Sequence, residues 1–126
     1  MKRILVVDDD PDTRDILAKI LEGLGHEAVT AESGADALAK ISSSGSTFDL
    51  FILDIMMPGM NGYELLEKIR ENPNYLNTPI MMVTAKDADT DVLEGYKHGA
   101  DYYITKPFTS KHIEWGLKIF FDEQSE

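Results

Sequence analysis

The fold is decided by residues 50–54, which read Leu50-Phe51-Ile52-Leu53-Asp54. Four consecutive apolar residues favour a strand that is buried on both faces, as the strands of a parallel sheet are. Residues 4–10 have the same form, because four apolar residues are followed directly by Asp8-Asp9-Asp10. Each segment therefore predicts a buried strand that ends in acidic side chains.

The rest of the chain alternates short apolar segments with amphipathic ones. Further strands are predicted at residues 27–31, 80–83 and 101–105. Apolar residues at helical spacing predict helices around 16–24, 35–41, 65–69 and 92–96, and a last one from Phe108 to about 121. The polar segments 42–47 and 58–62 have the composition of loops. Five repeats of strand followed by helix indicate a doubly wound α/β fold with a parallel sheet.

Composition and charge exclude several functional classes. The chain has 126 residues, no cysteine, and 12 basic against 23 acidic residues, which gives a net charge of −11. One domain over residues 1–122 is expected, followed by a short acidic tail, 123–126, that we expect to be disordered. The acidity argues against direct binding to nucleic acid or to an anionic membrane. No signal peptide or membrane span is recognisable, so a cytoplasmic location is expected.

Polar residues stand where the predicted strands end. Asp8, Asp9 and Asp10 follow the first strand, Asp54 the third, Thr84 the fourth and Lys106 the fifth. In a doubly wound sheet these ends share one edge, and ligands bind there. Clustered carboxylates without His or Cys favour Mg²⁺, or alternatively Mn²⁺. A central aspartate in such a site can attack phosphorus and form an acyl phosphate.

Each of these residues also has a purely structural interpretation. The three aspartates can cap the first helix, because acids favour helix N-termini. Thr84 can be an ordinary β-branched strand residue, Lys106 an ordinary surface lysine, and Asp54 a turn-forming residue at the end of a strand. All of these interpretations have to hold together if there is no site.

The chain resembles the receiver domains of bacterial two-component response regulators over essentially its whole length. The resemblance is carried by residues 4–10, 48–62, 79–85, 99–101 and 103–108, in this order and at matching separations. It implies a flavodoxin-like (βα)5 fold with strand order 2-1-3-4-5. It also implies a phosphoacceptor signalling switch that is not an enzyme beyond its own phosphorylation and dephosphorylation.

The resemblance assigns the phosphoryl and metal chemistry to five positions. Asp54 would be the phosphoacceptor, and Lys106 would bind a phosphoryl oxygen. Asp8, Asp9, Asp54 and the backbone carbonyl of Met56 would hold the Mg²⁺ ion.

Further positions are assigned to switching and to phosphoryl lifetime. Thr84 and Tyr103 would form the coupled switch, and the Lys106–Pro107 peptide bond would be cis. Met56 and Lys86 would tune the lifetime of the phosphoryl group. Because a thioether is a poor hydrogen-bonding partner for water, Met56 predicts slow to moderate autodephosphorylation.

The resemblance also implies partners. A sensor histidine kinase or a histidine phosphotransfer protein would supply the phosphoryl group. The face made by the fourth helix, fifth strand and fifth helix would control a downstream protein or effector domain. A phosphorylation-dependent dimer stays open, although Tyr102 replaces a second acid after Asp101 that many DNA-binding regulators use in one dimer mode. Trp115 either covers the edge of the core or belongs, with Ile119, to a partner patch.

Three other functions fit the sequence less well. A magnesium-dependent phosphatase would use Asp8 as nucleophile and Asp10 as acid, but Thr13 is one place late for that motif. A flavin-binding module would need a hydroxyl- or glycine-rich phosphate loop where this chain has acids. A receiver-like module that no longer accepts phosphate would not need all of Asp8, Asp9, Asp54, Thr84 and Lys106.

Overall fold

Five parallel strands and four helices make up the part of the chain that the structure, a computed structural model, describes: residues 1–43, 45, 47–84 and 99–121. Strands and helices alternate, with one short 3₁₀ helix at Pro73–Tyr75. The strands are β1 (Arg3–Val7), β2 (Glu27–Ala31), β3 (Leu50–Asp54), β4 (Ile80–Thr84) and β5 (Tyr102–Thr105). The helices are α1 (Pro11–Gly23), α2 (Gly34–Ser43), α3 (Gly62–Arg70) and α4 (Ser110–Phe121).

The sheet has the order β2-β1-β3-β4-β5, and all pairs are parallel. This confirms the predicted flavodoxin-like topology. Strand order reverses at β1, which lies between β2 and β3, so the connections on its two sides diverge and leave a crevice at the carboxyl edge. The register sets Val7 beside Leu53 and Thr84 beside Thr105, which brings the strand ends level with one another.

Two apolar layers hold the helices against the sheet. Successive residues of a strand point to opposite faces, so Leu5 and Val7 pack on the side of α2 and α3, whereas Ile4 and Val6 pack on the side of α1 and α4. Strand β3 is buried along its whole length, as its continuous apolar run predicted. Asp54 is therefore presented by one of the most deeply packed elements of the molecule.

The amino ends of β4 and β5 are tied together by Arg70, at the last turn of α3. Its guanidinium donates hydrogen bonds to the carbonyl oxygens of Tyr75 (2.9 Å), Thr78 (2.6 Å) and Gly99 (3.0 Å). It also binds Asp101 Oδ2 at 3.0 Å, and the same oxygen accepts the backbone N–H of Ile80 at 2.9 Å. The Asp101 carboxylate is therefore held by hydrogen bonds from Arg70 and Ile80.

Some sequence expectations differ from the structure at the level of single residues. Leu17 and Leu21 of α1 are buried, but Ile16 of α1 and Leu24, the residue after its last turn, are exposed. The face that touches the sheet is narrower than the apolar spacing suggested. Helix α2 continues to Ser43, two residues into the segment predicted as a loop, and β5 begins one residue later than predicted. The predicted helix around 92–96, Ala85, Lys86 and the tail 123–126 lie outside the described residues.

Within those residues, none of the helices combines the length and the apolar character needed to cross a lipid bilayer.

Candidate functional site

The carboxyl edge of the sheet brings together residues from four strand ends. Asp8 directly follows β1, Asp54 ends β3, Thr84 ends β4 and Lys106 directly follows β5. Carboxylate oxygens of Asp8, Asp9 and Asp54 lie within 4.8 Å of one another. The predicted convergence of acids from two strands is therefore present.

Lys106 is the cation that faces these carboxylates. Its Nζ lies 3.4 Å from Asp8 Oδ2 and 3.6 Å from Asp54 Oδ1. Its backbone N–H donates to the carbonyl of Thr84 at 2.8 Å, which ties the end of β5 to the end of β4. Lys106 is thus a partner of the acids rather than a solvated surface lysine.

The Asp8 side chain has a buried oxygen that is suited to a cation. Asp8 is 1% exposed, and its Oδ1 accepts the backbone N–H of Asp10 at 2.9 Å. Among the described residues, Oδ2 receives no hydrogen bond, although Lys106 lies at ion-pair distance. A buried oxygen without a hydrogen bond is costly unless something else compensates it. Together with two further carboxylates, it forms the kind of all-oxygen donor set that Mg²⁺ takes.

Electrostatics inside the site disfavour charge on the acids. Burial and the neighbouring Asp8 carboxylate raise the pKa of Asp54 from 3.8 to about 6, against the attraction of Lys106. Burial likewise raises the pKa of Asp8, against the Asp10 N–H and Lys106. Burial alone would lower the pKa of Lys106, but its attraction to Asp54 and Asp8 outweighs burial and raises it. Such mutual shifts are typical of a functional cluster.

Asp10 does not belong to this cluster. Its side chain caps α1, because its carboxylate accepts the backbone N–H of Asp12 and the hydroxyl of Thr13 at 2.8 Å. The hydrogen bonds from Thr13 and Asp12 lower the pKa of Asp10. The structural interpretation therefore holds for this one aspartate. A lowered pKa also speaks against Asp10 as the general acid of a phosphatase.

The remaining predicted residues surround the cluster. Thr84 is fully buried, and Tyr103, on β5, is partly buried against the apolar layer on the side of α2 and α3. The backbone N–H of Met56 donates to the Asp54 carboxylate, while the Met56 side chain is exposed. The Lys106–Pro107 peptide bond is cis.

Two residues that support the site were not singled out in the sequence. Arg14 Nη1 donates to the carbonyl of Asp8 at 2.7 Å and so fastens the β1–α1 loop. Gly62 donates its N–H to the carbonyl of Ile55 at 2.9 Å. A Cβ at Gly62 would collide with the carbonyl oxygen of Asp54. The Gly62 position was visible only as part of a loop, and Arg14 only as one charge on a helix.

Fold and site together define a doubly wound α/β protein with an acidic cluster and a lysine at the carboxyl edge of its sheet. The sequence model of the response regulator receiver domain matches residues 4–117. The chain therefore belongs to the receiver domain family of response regulators. Members of this signalling family typically bind Mg²⁺, and the cluster of Asp8, Asp9 and Asp54 is consistent with that property.

Curated relatives include transcriptional regulators. The chain is 42% identical over 111 residues to the uncharacterized transcriptional regulatory protein YrkP of Bacillus subtilis, which covers 88% of this chain and 46% of that protein. It is 38% identical over 117 residues to the alkaline phosphatase synthesis transcriptional regulatory protein PhoP of the same organism, covering 93% and 47%. The chain thus spans about half the length of the curated relatives it matches.

Solved structures of single receiver domains match nearly end to end. The chemotaxis protein CheY4 of Vibrio cholerae superposes with a TM-score of 0.89 at 33% identity, covering 96% of this chain and 99% of that one. A CheY-like receiver domain protein of Methanospirillum hungatei gives 0.86 at 36% identity, covering 99% and 97%. The fold is therefore shared with solved receiver domains from two other organisms.

Proposed function

We propose that this domain is a phosphoacceptor switch in which Asp54 takes a phosphoryl group from a sensor histidine kinase or a histidine phosphotransfer protein. One observation carries the proposal. Asp54 is only 5% exposed, yet it lies in a carboxylate cluster and at 3.6 Å from Lys106. A carboxylate held among other carboxylates at the end of a buried strand has no stabilising role that would explain its position.

The chemistry follows from the state of the Asp54 carboxyl. With a pKa of about 6, it is mostly ionised at neutral pH and can act as a nucleophile. An Asp54 oxygen attacks phosphorus, the P–N bond to the donor histidine breaks, and the electron pair leaves with the imidazole nitrogen. The product is an acyl phosphate on Asp54, and no net oxidation occurs.

The charge that develops on the phosphoryl oxygens needs cations. Lys106 Nζ would bind one of these oxygens, and its ion-pair distance from Asp54 supports this role. Mg²⁺, when bound, supplies further neutralisation of the same oxygens. We assign its ligands to Asp8, Asp9 and Asp54 on the basis of their oxygen cluster and the buried Asp8 Oδ2, which receives no hydrogen bond among the described residues. The Met56 carbonyl is assigned on the basis of the family resemblance.

The switch would be a population shift. Phosphorylation adds charge and acceptor oxygens at Asp54. These oxygens favour a conformer in which the Thr84 hydroxyl is drawn toward the site, and the shift is limited by that difference in affinity. Tyr103 lies on β5, which pairs with the strand that ends in Thr84, and is partly buried against the apolar layer. Tyr103 would change position when Thr84 moves. We propose that Met56 and Lys86 set the phosphoryl lifetime.

The output surface would include β5 and α4. On α4, Trp115 is 53% exposed and Ile119 is 63% exposed, so neither is needed to cover the core. The two residues form an exposed apolar strip that suits contact with a downstream protein or effector domain. The helix predicted around residues 92–96, which precedes β5 in the chain, would belong to the same face. The acidic surface makes direct nucleic-acid binding by this domain unfavourable.

Phosphorylation by a small donor tests the proposal. Intact mass is measured after incubation with acetyl phosphate, with and without Mg²⁺, for the wild type and for Asp54→Asn. One phosphoryl adduct that requires both Mg²⁺ and Asp54 is expected. An adduct that persists in Asp54→Asn would remove the assignment.

Asp10→Asn is the matched control for loss of a neighbouring charge. Asn is as good a helix cap as Asp, so the start of α1 is kept. Because the Asp10 carboxylate serves the helix and not the cluster, this variant is expected to form the adduct. Its failure to do so, with Asp54→Asn also inactive, would point to general electrostatics instead of a specific acceptor.

A further inference from the structure

Met56 differs from the other methionines of the chain in its exposure and its position. Its side chain is 65% exposed, whereas Met57 is 7% exposed and Met81 and Met82 are fully buried. Met60 is partly buried against the apolar layer. Met1 is exposed too, but it precedes β1 and therefore lies at the edge of the sheet opposite the acidic cluster. Met56 is thus the one thioether that is both open to solvent and beside Asp54.

The backbone fixes how close Met56 is to the acceptor. The Met56 N–H donates a hydrogen bond to the Asp54 carboxylate. The Met56 Cβ is two bonds from that backbone nitrogen, so the side chain begins close to the Asp54 carboxylate. The side chain also lines an open cleft of 610 Å³, together with Ile55, Met57, Pro58 and Tyr63. Small solutes can therefore reach the sulfur without any opening of the fold.

We propose that Met56 is a site of reversible oxidation by peroxides, and that its sulfoxide shortens the lifetime of the phosphoryl group on Asp54. Oxidation susceptibility of methionine follows exposure, and the sulfoxide is reduced again by methionine sulfoxide reductases. The second half of the proposal rests on the phosphoacceptor function proposed above.

The oxidation is a two-electron transfer of one oxygen atom. The Met56 sulfur attacks one oxygen of hydrogen peroxide, an S–O bond forms and the O–O bond breaks. The oxygen now bound to sulfur still carries its proton. The leaving hydroxide takes up this proton and becomes water, which leaves the neutral sulfoxide. Sulfur is oxidised, the peroxide is reduced, and the backbone is unchanged.

The consequence for Asp54 comes from hydrogen bonding. A thioether is a weak acceptor that does not hold a water molecule well. A sulfoxide is polar, and its oxygen, at the rim of the site, can accept a hydrogen bond from the water that attacks the acyl phosphate. One added hydrogen bond of ordinary strength in the transition state corresponds to about a fivefold faster hydrolysis.

The first measurement is selective oxidation, and it does not depend on phosphorylation. The protein is treated with graded hydrogen peroxide, and peptide fragmentation locates each added oxygen atom. Met56 is expected to be oxidised before Met57, Met60, Met81 and Met82. Equal or earlier oxidation of these four would overturn the proposal.

The second measurement is the decay rate of the phosphorylated protein after removal of the donor. We expect about a fivefold faster decay for the oxidised wild type, with return to the original rate after treatment with methionine sulfoxide reductases. Met56→Leu keeps Met1 and the other methionines, so peroxide is expected to leave its decay rate unchanged. Met56→Gln carries a permanent polar acceptor and is expected to decay faster without peroxide.

The outcomes separate this proposal from the phosphoacceptor function. An unchanged rate in the oxidised wild type overturns the proposal, as does the same acceleration in Met56→Leu. A protein that forms no adduct on Asp54 before any peroxide treatment refutes the proposed function, and the lifetime effect falls with it. In that case the order in which peroxide oxidises the methionines still tests the first half of the proposal, that Met56 is the preferred oxidation site.

Discussion

Lys106 Nζ stands 3.6 Å from Asp54 Oδ1, yet the pKa of Asp54 is raised, not lowered. An ammonium at this distance favours the ionised carboxylate. Burial and the adjacent Asp8 carboxylate act in the opposite direction and outweigh it. The metal-free site is therefore short of positive charge, and this shortage has consequences that can be measured.

Replacing Asp54 by Asn is expected to stabilise the metal-free protein at neutral pH. The unfolded chain releases the Asp54 proton near pH 3.8, whereas the folded chain keeps it up to about pH 6. In this window the folded state holds more protons, so the contribution of Asp54 to the free energy of unfolding falls as pH rises through it. The shift sets an upper limit of about 3 kcal/mol.

Urea unfolding in the presence of a chelator checks this expectation. The stability difference between Asp54→Asn and the wild type is expected to be largest above about pH 7 and to shrink as pH is lowered toward ~4. A difference that is constant with pH would show that Asp54 carries no unfavourable charge in the folded state.

Magnesium is expected to stabilise the wild type through the same cluster. A ligand that binds only the folded state adds about 2.7 kcal/mol at a hundredfold excess over its Kd. Asp9→Asn removes one carboxylate of the cluster without disturbing the core, since Asp9 is exposed. The urea midpoint of this variant should respond far less to Mg²⁺. Asp12→Asn, an exposed acid in the first turn of α1 outside the cluster, should respond as the wild type does.

Gly62→Ala is expected to disturb the site by displacing the backbone that carries Asp54. The added Cβ would meet the Asp54 carbonyl oxygen and the Ile55 Cα, which are backbone atoms that cannot turn aside. Overpacking of this kind costs about 1–3 kcal/mol, and the acceptor strand should shift enough to slow phosphorylation. At Gly23, by contrast, a Cβ meets no atom within 4 Å. Gly23→Ala should be neutral or more stable by up to about 1 kcal/mol, with phosphorylation unchanged.

Arg70→Ala is expected to be strongly destabilising, at about 3 kcal/mol. It leaves three carbonyls and the Asp101 carboxylate without their shared donor. Arg70→Lys should recover only part of the loss, because an ammonium cannot reproduce the fork of donors. Lys68→Ala, at an exposed position of the same helix, should change stability by less than about 0.5 kcal/mol. Chemical denaturation of the three variants provides the comparison.

The fold was predictable from sequence because its information is local. An apolar run such as 50–53 predicts a buried strand from its own residues alone. The alternation of strands and helices then leaves few possible topologies. The clustering of Asp8, Asp9 and Asp54 with Lys106 was predictable for the same reason, since parallel strands end at one edge. The resemblance to receiver domains then supplied the individual roles.

Individual side-chain contacts were not predictable, whether they join neighbouring or distant residues. The hydrogen bond from Arg14 to the Asp8 carbonyl joins residues on a loop and a helix, and nothing in the residue types distinguishes Arg14 from a solvated charge. Arg70 and Asp101 are 31 positions apart. The exposure of Ile16 depends on the width of the contact between α1 and the sheet, which periodicity alone does not give. The residue types alone did not distinguish Asp10 from Asp8 and Asp9, and the family resemblance assigned the metal to Asp8 and Asp9 only. The role of Asp10 as the cap that binds Asp12 and Thr13 was visible only in the structure.

Arg70 and its partners fasten the amino ends of β4 and β5, at the opposite edge from the acidic cluster. The residues that stabilise the sheet through Arg70 and the residues that we propose to react therefore lie at opposite edges of the sheet. We expect a substitution of the exposed Met56 to change the phosphoryl lifetime with little loss of folding stability. The timing of the proposed switch and the stability of the domain would then be open to separate change by substitution.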